Sequence, residues 1–100
     1  MTELFQQISD LIAGSERDLD RIVRTHTDGY ACAHAIEAEQ LRLRKRLEET
    51  ALALGRSPSP QRVGELAGLG EGLARTGVEL TELRGALVEL AAKARRLRAA

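Results

Sequence analysis

The chain has few of the residues from which small proteins usually build a compact core. Its 100 residues include two aromatic side chains, Phe5 and Tyr30, no tryptophan, two prolines and one cysteine, Cys32. The shortage of aromatic residues excludes a core built around rings, and leucine and alanine supply 31 of the 43 hydrophobic positions. The composition therefore favours one small domain, residues 1–100, with Leu/Ala seams between long helices.

An excess of either charge is also missing, since 15 basic and 15 acidic residues balance to a formal net charge of zero. Nucleic-acid binding needs a net basic surface that displaces counterions from phosphates, so we expect no nucleic-acid partner. Four basic residues do lie near the C-terminus, and we interpret them as favouring the negative end of a helix dipole. They are Lys93, Arg95, Arg96 and Arg98.

Compartment signals are equally sparse. A lone cysteine forms no internal disulfide, so an oxidising compartment is not implied. No stretch approaches the roughly 18 apolar residues of a membrane span, and the first 25 residues show no basic start followed by an apolar core. We therefore expect a cytoplasmic protein without membrane contact; export by a route that leaves the N-terminus intact is the alternative.

A leucine repeat dominates the second half of the chain. Steps of three and four residues from Leu66 to Leu97 give ten positions, of which eight are leucine and the others are Thr76 and Ala94. Such a repeat predicts a helix over 60–98 that packs against another helix along one seam. The eight seam leucines are Leu66, Leu69, Leu73, Leu80, Leu83, Leu87, Leu90 and Leu97.

The segment GRSPSPQ, residues 55–61, predicts a turn over 55–59. Gly55 suits the left-handed residue that often follows a helix end. Ser59 is a good N-cap, and Pro60 fits the first turn of the next helix, where its missing N–H has no partner to lose.

The first half predicts a short helix over 3–13 and a long helix over 16–54. Gly14 weakens a helix, and Ser15 and Asp18 have the spacing of a capping box, with aspartate in place of the usual glutamate. A short helix followed by a long one is the preferred interpretation, and one bent helix is the alternative.

The long helix carries a less regular heptad repeat, from Ile22 to Leu54. His26, Gly29 and Gln40 occupy seam positions where leucine is expected. Polar or small seam residues lower stability and set the register of helix pairs. Because Thr25, Thr27, Asp28 and Gly29 are poor helix formers, we expect the helix to be weakest there, with a kink possible near 28–29.

Folding the two long helices into an antiparallel hairpin brings together positions whose numbers sum to about 114, so that Gly29 is predicted near Gly85. Residues 3–13 then have no partner within a straight hairpin. They must either fold back or dock on another protein. We interpret the apolar residues of this segment as anchors for a partner: Leu4, Phe5, Ile8, Leu11 and Ile12.

Apolar residues outside the seams indicate a second buried face. Leu41 and Leu52 lie off the seam of the long helix, and Val63 lies off the leucine seam. Because an isolated hairpin buries little surface, we expect a homo-oligomer, with a dimer of hairpins in a four-helix bundle as the simplest closed arrangement.

Glycines are frequent in the second long helix. Gly64, Gly68 and Gly72 are four residues apart and share one edge, a spacing that allows close helix approach. Tight packing or low local stability is the structural interpretation. A helix that bends on partner binding is the functional one.

The segment HTDGYACAH, residues 26–34, holds both histidines, the cysteine and the tyrosine. On a helix His26, Tyr30 and His34 lie along one edge, four residues apart, whereas Cys32 points to the other side. The two histidines then stand about 12 Å apart along the axis, which is too far for one shared ion. The reactive side chains therefore do not converge on a single helix.

One pair from this region is compatible with metal binding. His34 and Glu37, at positions i and i+3, could supply two ligands from one face, and a metal or catalytic site would need a symmetry mate, with His26 as a further ligand. This is the alternative function. We otherwise expect no cofactor, no small-molecule substrate and no enzymatic activity.

The run RLRKRLEE, residues 42–49, combines four basic residues with two acidic ones. Leu43 and Leu47 belong to the seam, so we interpret the charges as solvated flanks rather than as a DNA-reading face.

The sequence thus predicts an all-α protein that acts through helix packing. We expect a non-enzymatic protein–protein interaction module, such as an adaptor, an assembly factor or a small secretion-type chaperone that holds a helix of its partner.

Overall fold

The computed structural model describes residues 2–14 and 17–100, and this part of the chain forms three α-helices and no strand. Helix α1 spans Thr2–Ala13, α2 spans Leu19–Arg56 and α3 spans Pro60–Ala99. The all-α prediction is confirmed. Every helix end lies within three residues of its predicted position. The differences have local causes at the start of α2 and at the turn before α3.

Helix α2 begins three residues later than predicted because Asp18 caps it. The backbone N–H of Arg21 donates to the Asp18 carboxylate, with 3.2 Å between nitrogen and Oδ1, which satisfies one of the free N–H groups of the first turn. Asp18 is therefore the N-cap itself and not the last member of a capping box. Ser15, the other half of the predicted box, lies outside the described residues.

The turn between α2 and α3 is shorter than expected. Gly55 and Arg56 remain helical, and none of the glycines in the described part of the chain has a positive φ, so the prediction of a left-handed Gly55 is wrong. The helix ends instead before Pro58, because a proline disfavours helical geometry at the preceding residue. Ser59 caps α3 as predicted, since the N–H of Arg62 donates to its hydroxyl at 3.1 Å.

The chain is organised as two compact units. The first combines Met1–Ala35 with Leu80–Ala100, and so contains α1, the beginning of α2 and the end of α3. Its core holds the four most deeply buried large side chains of the described residues: Ile8, Ile22, Leu83 and Leu90. Ile8 belongs to α1, so of the two alternatives for this segment the structure shows that it folds back.

The second unit, Ile36–Glu79, contains the end of α2, the turn and the beginning of α3. Leu43 lies against Gly72 and Gln40 against Gly77, within three positions of the predicted hairpin register. Most seam residues of this unit are half-buried, and among them Leu69 is buried. Gly72, which lies beside the seam, is buried as well. Two helices cover each other on one side only, so this unit buries less of its apolar surface than the three-helix unit.

Helix α2 continues without interruption through Asp28 and Gly29, so the helix does not break there; that it is weakest at this point stays a prediction. Gly29 is buried, and a Cβ atom built on it would lie 2.5 Å from Cδ2 of Leu87 and 3.1 Å from Cδ1 of Ile8. The missing side chain lets α1 and α3 approach α2 closely. Gly29 therefore faces Leu87 rather than Gly85, and packing on both sides holds the helix in place.

This close approach gives a first prediction. We expect Gly29→Ala to destabilise the protein by about 1–2 kcal/mol, because displacing two packed core side chains outweighs the helix propensity of alanine. Gly85→Ala is the matched control: a Cβ atom there meets nothing within 4 Å, so it should stabilise the helix by about 1 kcal/mol. Denaturant unfolding of both variants checks the difference in sign, and equal stabilisation would contradict the packing role of Gly29.

The other glycines of α3 do not mark a tight intrachain contact. Gly64 and Gly68 are exposed, and a Cβ atom on either would meet nothing within 4 Å. Of Gly64, Gly68 and Gly72, only Gly72 faces a side chain of the other helix. A Cβ atom on Gly72 would lie 3.5 Å from Cδ1 of Leu43, which is an ordinary contact distance. The predicted tight packing along this edge is therefore absent within the chain.

A candidate partner-binding groove in the first unit

Helix α1 is fixed in the first unit by its apolar face and by one buried lysine. Ile8 and Leu11 are buried, with exposed fractions of 0% and 5%. The ammonium group of Lys93 donates to the carbonyl oxygen of Leu11 and, at 3.1 Å, to that of Gly14. Because the last turn of α1 contains no basic residue, Lys93 of α3 supplies the positive charge that a helix C-terminus favours.

Lys93 thus has a role that differs from the one its position suggested. The sequence grouped it with the basic C-terminal end of α3, yet it is buried, whereas Arg95, Arg96 and Arg98 are exposed. Its side chain reaches from α3 to the end of α1, between residues 82 positions apart along the chain. No sequence pattern identified this contact, although a single lysine within an Ala-rich stretch was a weak signal.

A groove of about 430 Å³ runs between α1 and α3 on the surface of the first unit. Helix α1 contributes side chains at i, i+4 and i+7, and α3 contributes the opposite wall. The lining residues are Phe5, Ser9, Ile12, Thr81, Glu82, Gly85, Ala86 and Glu89. The groove is open along its length, which suits an extended or helical ligand better than a small molecule.

The groove combines apolar side chains on α1 with acidic side chains on α3. Phe5 and Ile12 are half-buried, so part of each remains available for contact. Glu82 and Glu89, two turns apart, are exposed on the wall formed by α3. Gly85 lies between them and leaves space where a side chain would otherwise stand. The arrangement therefore suits an apolar ligand segment with positive charge at its edge.

The structure divides the five predicted anchor residues into two groups. Ile8 and Leu11 are buried within the chain and so are taken up by the fold. Leu4, Phe5 and Ile12 are half-buried, and the last two line the groove. The eight seam leucines are buried or half-buried, as are Thr76 and Ala94. The leucine seam is thus used inside the chain, and the groove beside it is still accessible to a ligand.

The histidine segment forms a line of rings along α2. The rings of His26 and Tyr30 stack at 6.4 Å between centroids, and those of Tyr30 and His34 meet edge to face at 4.8 Å. The predicted alignment of the three side chains along one edge is therefore observed. Tyr30 lies between the two histidines and separates them.

The residues of the metal alternative are not gathered into a ligand set. Within residues 2–14 and 17–100, no three His, Cys, Asp or Glu side chains are placed to hold one ion. Glu37 and Cys32 are half-buried and His34 is exposed. A site formed by His34 and Glu37 with a symmetry mate stays a prediction.

A smaller groove of about 260 Å³ lies in the same unit between α2 and the end of α3. Its lining combines Val23 and two alanines with His26, Arg95 and Arg98. It has fewer large apolar side chains than the α1–α3 groove. A partner helix with an apolar face would therefore make more apolar contact in the α1–α3 groove than in this one.

Two further findings concern the chain as a whole. In the helices of the described residues there is no stretch with the length and hydropathy needed to cross a bilayer. Comparison with known proteins found no matching family model, no similar curated protein and no similar solved structure.

Proposed function

We propose that this protein is a non-enzymatic protein–protein interaction module that holds a helix of its partner in the α1–α3 groove. The supporting observation is the combination of half-buried Phe5 and Ile12 with the open position at Gly85. Amphipathic helices bind such grooves through apolar side chains at i, i+3 or i+4, and i+7. An adaptor, an assembly factor and a small secretion-type chaperone would all use this chemistry, and a cytoplasmic location belongs to the same proposal.

The charge of the groove defines the partner further. Glu82 and Glu89 stand two turns apart on α3, and opposite charges across an interface raise the rate and selectivity of association. The partner helix should therefore carry lysine or arginine beside its apolar face. Membrane surfaces and nucleic acids, which are anionic, do not complement this groove.

The test uses synthetic helical peptides as probes. One carries leucine at i, i+3 and i+7 with flanking lysines, and the other carries glutamates in place of the lysines. We expect the lysine peptide to bind at least tenfold more tightly at low ionic strength, with a salt-sensitive association rate. Fluorescence anisotropy with labelled peptides measures both affinities.

A groove-filling variant provides the matched control. Gly85→Leu places a side chain in the open position and should weaken binding of the lysine peptide at least tenfold without unfolding the protein. Ala67→Leu, at an exposed position on α3 in the second unit, should leave binding unchanged. Equal binding of both peptides, or equal binding by both variants, would refute the groove as the partner site.

A further inference from the structure

The charged run of α2 lies between two leucines that the fold leaves in solvent. Leu41 and Leu52 are 65% and 63% exposed, and both lie in the second unit. Eleven residues separate them, which is three helical turns and about 16 Å, so they share one face of α2. Neither the seams nor the groove uses these two side chains.

The residues between the two leucines continue the same face. Lys45 follows Leu41 by four residues, Glu48 follows Lys45 by three, and Leu52 follows Glu48 by four. The order of these steps is the same in both directions along the helix. The charge changes sign across the midpoint between the two leucines: the basic Lys45 precedes the midpoint and the acidic Glu48 follows it. We refer to Leu41, Lys45, Glu48 and Leu52 as the α2 strip.

We propose that the α2 strip is the docking surface for a second copy of this chain, with the two α2 helices antiparallel. In that register Leu41 of one copy meets Leu52 of the other, and Lys45 meets Glu48. Each contact occurs twice because a two-fold interface repeats every pair. The strip is thus complementary to itself in charge and in the positions of its leucines.

The charges of the strip itself select the orientation of the two helices. With the midpoint between residues 46 and 47, Lys45 of one copy stands level with Glu48 of the other. A parallel arrangement would instead place each lysine opposite a lysine and each glutamate opposite a glutamate. Like charges opposite each other are unfavourable, so the pattern selects the antiparallel orientation.

Arg42 is already engaged and does not belong to this pattern. Its guanidinium forms an ion pair with Glu39 on the same helix. Lys45 and Glu48 of the run RLRKRLEE form the two-fold pattern, whereas the sequence alone had suggested that the charges of the run are solvated flanks. A second copy therefore gives the run a role that an unrelated partner would match only by chance.

The size of the strip sets the expected strength of the dimer. From Leu41 to Leu52 the strip is about 16 Å long and about 10 Å wide, so its footprint is about 160 Å² on each copy. This is well below the roughly 800 Å² per partner of a standard interface. Exposed ion pairs add little affinity, so the leucines provide most of it and the charges fix the orientation. We expect a weak, concentration-dependent dimer.

Sedimentation equilibrium of the full chain over a wide concentration range tests the proposal. The wild-type protein should show a reversible monomer–dimer equilibrium. Lys45→Glu and Glu48→Lys should each weaken the dimer at least tenfold, because each places like charges opposite each other twice. The double variant K45E/E48K should restore association, and so should an equimolar mixture of the two single variants.

The hydrophobic part of the strip has its own matched pair of variants. Leu41→Lys should abolish dimerisation, whereas Val78→Lys, at a similarly exposed position on α3 of the same unit, should leave it unchanged. Circular dichroism confirms that each variant remains helical. A wild-type protein that stays monomeric at hundreds of micromolar, or charge reversals that leave the dimer unchanged, would overturn the proposal.

This inference does not depend on the proposed function. The α2 strip belongs to the second unit and the partner groove to the first. Variants of Leu41 should therefore leave peptide binding at the groove intact, and Gly85→Leu should leave the dimer intact. Failure of either proposal would be visible without affecting the other.

Discussion

Replacing Ile8 by alanine is expected to lower the free energy of unfolding by about 3 kcal/mol. Ile8 has no exposed surface and lies against Gly29, so its truncation leaves a cavity at the point where α1 meets α2. Large-to-small replacements in packed cores cost about 2–5 kcal/mol. Denaturant unfolding measures the change, and amide hydrogen exchange should show that α1 loses protection first.

Leu4→Ala is the control for this experiment. Leu4 belongs to the same helix but is only half-buried, so we expect a loss of about 1 kcal/mol. If α1 were an unattached anchor waiting for a partner, both substitutions would leave stability unchanged. Comparable small effects would therefore contradict the folded-back position of α1.

Lys93→Met is expected to destabilise the protein by about 2 kcal/mol. Methionine keeps much of the apolar stem of the side chain but removes the ammonium group, which leaves the carbonyl groups of Leu11 and Gly14 without this donor. Hydrogen bonds to charged groups contribute about 1.5–3 kcal/mol each when their loss leaves a buried partner unsatisfied. Thermal or denaturant unfolding of the variant measures the effect.

Arg95→Met provides the comparison. Arg95 is exposed and follows Lys93 by two residues, so this variant removes a positive charge from the same region of α3 without removing a buried contact. Its effect should stay below about 0.5 kcal/mol, as is usual for surface substitutions. The loss in Lys93→Met should also appear first in hydrogen exchange of α1, because the lysine connects α1 to α3. If both variants had equal effects, the role of Lys93 at the end of α1 would be disproved.

Local features of the sequence predicted most of the helical architecture. The leucine repeat of α3 marks a face that is buried or half-buried along its length, because a 3.5-residue spacing places its members on one side of a helix. Ser59 and Pro60 marked the start of α3 for an equally local reason. The ring alignment of His26, Tyr30 and His34 also follows from helical spacing alone.

Errors arose where the preference of one residue competed with the effect of another residue. Asp28 and Gly29 are poor helix formers, yet the helix continues because Ile8 and Leu87 pack against Gly29. The left-handed conformation expected of Gly55 did not occur because Pro58 determined the helix end. In both cases the residue type was interpreted correctly, but a second residue decided the outcome.

The candidate groove was only partly accessible from sequence. Phe5 and Ile12 were recognised as apolar and unpaired, but Glu82, Gly85 and Glu89 carried no signal that placed them beside α1. A periodic pattern shows that one face of a helix is buried without showing what covers it. The groove exists only because α1 folds back onto α3 beside a position without a side chain.

The sequence by itself determined that the chain is helical, where its long helices begin and end to within a few residues, and which face of each is apolar. These properties depend on backbone preferences and on spacing within a single helix. The tertiary structure alone decided that α1 packs in its own chain, that Lys93 caps it and that Gly29 is a contact point. Those results depend on residues about 20 to 80 positions apart, whose approach is determined by the packing of the whole unit.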